Sequence, residues 1–289
     1  MAAMTHHRSL RRRALTAGAA TSALALGLAL TAAGPAMAAP AAAAKPKPVK
    51  ITHPGADHMG STIAEHEPTR HVTRKSSPVL LASVAGMDVS GWQGNVDWKT
   101  AYGNGARFAY VKATESTSYT SPYFTQQYNG SYNVGMIRGA YHFAVPSNSG
   151  GSAQADYFVA HGGGWSKDGK TLPPMLDIEY NPYGAECYGL SQSAMVSWIK
   201  AFSDRVHAKT SRWPTIYTTT DWWSTCTGNR GDFSSTNPLF VARYASSPGA
   251  LPYNWGFYTF WQFADSGTFP GDQDVFNGSY DRLKALANG

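Results

Sequence analysis

Eight short strand-like runs in the C-terminal part of the chain limit its possible folds more than any other feature. They are 84–89, 107–113 (RFAYVKA), 136–144 (MIRGAYHFA), 174–179, 214–218 (PTIYT), 238–244 (PLFVARY), 258–263 (YTFWQF) and 271–276 (GDQDVF). Runs this short, bounded by turn-forming residues, read as strands. The early intervals carry helix patterns at 122–134 and 152–161, the latter with Ala155, Phe158 and Val159 on one side. The clearest is 191–209, where Ser191 caps Met195, Val196, Ile199, Phe202 and Val206 at helical spacing. After the sixth run the connections are short, and no helix of normal length fits between the sixth and the eighth. Strands alternating with helices predict an α/β protein whose parallel sheet closes into a barrel, with a last third that departs from the regular eightfold unit.

The fourth run, Pro173-Pro174-Met175-Leu176-Asp177-Ile178-Glu179-Tyr180, carries the sharpest chemistry. Asp177 and Glu179 are two residues apart on a strand, so both side chains point the same way, with Cα atoms roughly 6.5–7 Å apart. Two carboxyls that close repel, and one tends to keep a proton near neutral pH while the other stays charged. Cleavage of a glycosidic bond needs that division of labour. Two solvated acids at a strand end are the plainer reading, but no Lys or Arg lies in the stretch to pair with them. In barrels of this class chemistry gathers where strands end. Asp88, Glu115, Asp177, Glu179 and Asp272 all fall at or just after such ends, as do Trp92, Tyr141, His142, Phe143, Tyr217, Tyr244, Trp261 and Gln262. Each aromatic alone is accounted for by core packing, and for Phe143 and Phe260 that reading is preferred. Acids and aromatics together at one rim suit a sugar chain.

The N-terminal part is of another kind. Residues 1–38 read as an export signal: Arg11-Arg12-Arg13, an Ala/Leu-rich run, then Ala36-Met37-Ala38 as a small-x-small cleavage site. The triple arginine also permits the twin-arginine route. The apolar run is about long enough to span a membrane, but the cleavage site favours removal over anchoring. Residues 39–83 are polar and poor in large apolar side chains, which predicts a disordered linker or propeptide. The spacing of its histidines matches no usual metal-ligand pattern. Residues 1–83 hold 10 Lys and Arg against 3 Asp and Glu, whereas 84–289 hold 14 against 15. The high pI therefore belongs mainly to the head, and a nucleic-acid partner loses its electrostatic support. Residues 84–289 suffice for one sizeable domain. They contain the only cysteines, Cys187 and Cys226, an even pair that in an exported chain reads as one disulfide.

An ordered set of motifs then carries a resemblance. GMDVSGWQG at 86–94, FAYVKATE at 108–115, GAYHFA at 139–144, Asp177-Ile178-Glu179 and Trp261-Gln262 resemble glycoside hydrolase family 25, the Chalaropsis-type muramidases of actinobacteria and phages. The likeness runs from about Gly86 to the C-terminus. It implies a single-domain, irregular TIM-like (β/α)5(β)3 barrel. It implies cleavage of the β-1,4 bond between N-acetylmuramic acid and N-acetylglucosamine in peptidoglycan, with no cofactor or metal. It places the proton donor on Glu179 with Asp177 beside it, and Asp88 matches the family's N-terminal acid. The fourth acid is Asp272 or Asp274, and the surrounding frame favours Asp272. Tyr141, Tyr217, Trp261, Trp92, Glu115, Gln262 and Tyr244 are the expected sugar contacts. Asp177 either orients the substrate's own N-acetyl group or helps activate a water, and its closeness to Glu179 favours the first. The expected product of the gene is an exported, extracellular, monomeric lysozyme acting on glycan strands, with no nucleic-acid partner and no membrane association after processing. A chitinase-like glycosidase and a non-catalytic cell-wall glycan-binding protein are the competing readings.

Overall fold

The structure is a computed structural model that describes residues 46–67 and 82–289. The export signal expected at 1–38 lies outside the described residues. All eight expected strands are present: β1 (Val84–Val89), β2 (Phe108–Glu115), β4 (Ile137–Phe143), β5 (Met175–Asp177), β6 (Thr215–Thr219), β7 (Leu239–Ala242), β8 (Phe260–Ala264) and β9 (Asp272–Phe276). A two-residue strand, β3 (Tyr119–Thr120), folds back on β2. The sheet order is β1-β9-β8-β7-β6-β5-β4-β2, and β1 pairs with β2 to close the barrel.

Five helices cover the first five crossovers: α2 (Trp98–Gly103), α3 (Phe124–Asn133), α4 (Gly151–Ala160), α5 (Gln192–Thr210) and α6 (Thr220–Thr227). Three strands then follow with no helix between them, and α7 (Tyr280–Asn288) ends the chain. This is the irregular barrel expected. The sequence reading missed α2, α6 and α7, each too short to show a clear helical repeat. Helix α5 starts where Ser191 accepts a hydrogen bond from the Ala194 N–H. It buries Met195, Trp198, Ile199, Phe202 and Val206, while Val196 sits at the edge of that stripe.

One polarity differs from expectation. β9 runs antiparallel to both β8 and β1. The connection before it is too short for a crossover, and only a hairpin fits so few residues. Asp272 is the first residue of its strand. Because the strand is reversed, that first residue still lies at the rim, opposite Asp88.

The pleat sorts side chains between the barrel interior and its coat. The lower interior is an aromatic layer in which Phe108, Tyr110, Phe240, Phe260 and Phe276 meet with ring centroids 5.2–6.1 Å apart. Gly86 makes room for it, since a Cβ there would lie 2.4 Å from the Phe108 ring. Above this layer the inward positions turn polar. Cys187 and Cys226 form the expected disulfide, with Cα atoms 5.2 Å apart, tying the loop after β5 to α6.

Of the disordered linker or propeptide expected at 39–83, residues 39–45 and 68–81 lie outside the described residues, and 46–67 take a defined path. They are ordered and lie against the rim, with a single helical turn, α1 (Ile63–His66). Met59 and Ile63 are fully buried in the main core. Composition misled because the segment gains its order from hydrogen bonds to distant barrel residues. Among the described residues no helix is long and apolar enough to cross a membrane.

Candidate active site

Two prolines admit the chain to β5, and the ladder then fixes its phase. The Asp177 carbonyl accepts from the Ala144 N–H at 2.9 Å, and the Ile178 N–H donates to the Tyr217 carbonyl at 3.0 Å. That last bond extends the strand's phase by a residue, so Glu179 faces inward with Asp177 while Ile178 enters the coat. Across the mouth, Asp88 and Asp272 stand opposite each other on β1 and β9. Gln262, inward on β8, bridges them: its Nε2 donates to Asp88 Oδ2 at 2.8 Å and Asp272 Oδ2 at 3.0 Å. Its Oε1 accepts from the hydroxyls of Tyr217 at 2.7 Å and Tyr244 at 3.2 Å. Asp274 lies one strand repeat deeper, opposite Gly86 and away from that bridge. The bridge favours Asp272 as the fourth rim acid.

The four acids are buried, and burial dominates their electrostatics. It pushes Glu179 up to about 8, against the opposing hydrogen bond from the Gly60 N–H. It pushes Asp88 up to about 8, against the bond from Gln262. Burial, followed by the charge of Glu179, raises Asp177 well above the usual carboxylate range. Asp272 is raised by burial and then by Asp88. Apart from Glu179, Asp177 has no hydrogen-bond partner among the described residues. The cluster can hold protons at neutral pH, and so can supply one.

The other expected contacts divide. Tyr141, Tyr217, Tyr244 and Gln262 line the mouth with the acids. Trp92 is 66 % exposed at the rim, its ring 6.2 Å from that of His58. Glu115 is taken up by Lys112, with Nζ–Oε2 2.6 Å, and by the Tyr183 hydroxyl. Trp261 is a correction. Its neighbours Phe260 and Gln262 point inward, so the pleat turns it into the coat. There it packs on Phe263 and donates from Nε1 to the Arg243 carbonyl at 2.9 Å. His142 likewise faces outward, bonded to Thr114 and Gln154, and burial lowers it to about 4.

Sequence reasoning missed Lys112. It is fully buried in β2, in phase with the inward Phe108 and Tyr110, and that phase was the available signal. It also missed what lies over the acids. Residues 54–62 cross the mouth directly above them, and a cavity of about 590 Å³ remains between this segment and the rim at Trp92, Asn181 and Pro182. A larger cavity, about 880 Å³, sits at the opposite end of the barrel near Leu239, Thr259 and Phe276, with no carboxylate in its lining.

The family profile described as glycosyl hydrolases family 25 matches residues 87–272. The chain belongs to glycoside hydrolase family 25. Among family members, an N,O-diacetylmuramidase of Chalaropsis sp is 54 % identical over 211 residues, covering 72 % of this chain and 100 % of that protein. Lysozyme M1 of Streptomyces globisporus is 45 % identical over 250 residues, covering 84 % of this chain and 85 % of that protein. A solved muramidase structure from Acremonium alcalophilum has 60 % identity and a TM-score of 0.70, covering 71 % of this chain and 99 % of that one. A chain about as long as residues 82–289 thus suffices for the fold of that muramidase. The match to Lysozyme M1, in contrast, is longer than residues 82–289 and so extends into the upstream segment.

Proposed function

We propose that this chain is an exported muramidase that hydrolyses the β-1,4 bond between N-acetylmuramic acid and N-acetylglucosamine in peptidoglycan. The observation that carries the reading is the inward pair Asp177 and Glu179 facing Asp88 and Asp272 across one barrel mouth, in a family-25 chain. Glu179 is the proton donor. Its carboxyl reaches groups placed in the mouth, as the 2.6 Å bond that Oε1 accepts from the Gly60 N–H illustrates. Asp177, one repeat deeper, orients the acetamide of the substrate so that its oxygen attacks the anomeric carbon as the glycosidic oxygen takes the Glu179 proton. A water then opens the resulting ring, returning a proton to Glu179. Asp88 and Asp272, held at fixed spacing by Gln262, set a second pair of carboxyls on the far wall of the mouth. Tyr141, Tyr217 and Tyr244 supply hydroxyls along its wall, and Trp92 offers an exposed face for a pyranose ring. Asp177 acts as an anion in this scheme, which requires water to reach it.

The barrel, residues 82–289, incubated with peptidoglycan should release fragments with N-acetylmuramic acid at the new reducing end, read by mass spectrometry. Glu179→Gln should slow that release roughly 10²–10⁴-fold, the usual worth of a general acid. Near-normal turnover in the variant would remove Glu179 from the role. Fragments from chitin instead of peptidoglycan would favour a chitinase-like enzyme.

A further inference from the structure

The segment over the acids is built into the mouth through several separate contacts. Val49 exchanges two hydrogen bonds with the Asn148 side chain, at 2.7 and 3.0 Å. Lys112 Nζ donates to the carbonyls of Pro54 at 3.0 Å and Asp57 at 2.7 Å. The Tyr183 hydroxyl donates to the Asp57 carboxylate. The His66 ring stacks on Tyr180 with centroids 4.0 Å apart. At the deepest point sits the peptide group joining Met59 to Gly60. Its N–H donates to Glu179 Oε1 at 2.6 Å, and its carbonyl accepts from Gln262 Nε2 at 3.3 Å. On either side, the Met59 N–H reaches the Tyr141 hydroxyl at 3.4 Å and the Gly60 carbonyl accepts from Tyr244 at 3.3 Å.

A peptide group and an N-acetyl arm are the same functional group, a secondary amide with one donor and one acceptor. Here that amide is held by the residues proposed to work on an aminosugar. We infer that residues 46–67 are an inhibitory prosegment whose Met59–Gly60 peptide group fills the mouth between Glu179 and Gln262, where the aminosugar must sit, and that the enzyme works only when this segment has left the mouth. The inference rests on the muramidase reading above. Asp177 and Glu179 are each only 1 % exposed beneath the segment, so a glycan strand cannot reach them while it is seated.

Being part of the same chain strengthens the block. A tethered occupant competes at an effective concentration on the order of millimolar. A local affinity of only about 10 µM then fills the mouth about a hundredfold more often than it leaves it empty. The seat also demands glycine. Gly60 has φ +79°, and a Cβ on it would lie 2.2 Å from the Tyr244 hydroxyl and 2.7 Å from Gln262 Oε1.

The test compares three proteins: the intact chain, the intact chain carrying Gly60→Val, and the barrel 82–289. Two readouts are used, clearing of a peptidoglycan suspension and hydrogen exchange at the Met59 and Gly60 amides. The intact chain should clear at least about tenfold more slowly than the barrel, with both amides protected. Gly60→Val should restore the rate and lose the protection. A synthetic peptide of residues 46–67 added to the barrel should inhibit, and its Gly60→Val version should not, which separates the effect from any misfolding of the variant. An intact chain as fast as the barrel would overturn the inference and leave the muramidase reading standing. No clearing by any of the three would overturn the muramidase reading and, with it, the inhibitory role, whatever the amide protection.

Discussion

Glu179→Gln should change how the intact chain's stability depends on pH. Glu179 is buried, and its pKa rises from an ordinary 4.5 to about 8 in the folded, covered state. Between those values the unfolded chain has released the proton and the folded chain still holds it. The folded state binds more protons, so stability falls as pH rises through this window. At about 1.36 kcal/mol for each unit, the loss from this one group is on the order of 5 kcal/mol by pH 8. Gln has the same shape, stays neutral, and its carbonyl still accepts from the Gly60 N–H. The variant should therefore match the parent near pH 4.5 and exceed it near pH 8. For a domain of this size that is a ceiling of roughly 10–20 °C in melting temperature. The acids that face Glu179, namely Asp177, Asp88 and Asp57, remain and are themselves raised, so the slope should shrink without vanishing. Calorimetry of both proteins from pH 4.5 to 8 is the assay. A difference that stays constant across the range, or grows toward acid, would refute the claim that Glu179 keeps its proton under the segment.

Two further outcomes test other parts of the molecule. Replacing Cys187 and Cys226 by Ala opens a loop of 39 residues' separation; chain entropy sets the loss at about 4 kcal/mol at most, and an unchanged melting temperature would show that the bond contributes nothing. Gln262→Leu removes the shared donor of Asp88 and Asp272, so the barrel's kcat/KM should drop about 10–100-fold with its circular dichroism unchanged, and full activity would show that the bridge is dispensable.

Most strands were legible because each is a short apolar run between turn residues, a signal that needs no knowledge of the rest of the chain. The rim acids were legible for the same reason, since the period of two puts Asp177 and Glu179 on one face. The direction of β9 was not, because a strand looks alike read either way and only the hairpin's brevity decides it. Trp261 was misassigned because position near a strand end was weighed above the phase set by Phe260 and Gln262. Residues 46–67 were hidden more thoroughly. Their order depends on Glu179 and Gln262, 119 and 203 positions along the chain from their partners Gly60 and Met59. Composition, which sees only neighbours, reports such a stretch as loose.

Gln273 sits between Asp272 and Asp274 and points the opposite way. Its amide clamps the preceding loop, accepting from Thr268 and Phe269 and donating to the carbonyls of Phe269 and Gly271. Sliding β9 by one position would carry both aspartates outside and bring this amide in. Sliding it by two would still leave a carboxyl facing Asp88. The alternating acids thus tolerate the even error, while Gln273 forbids the odd one, and proofreading of the acid cluster falls to a side chain that never touches it.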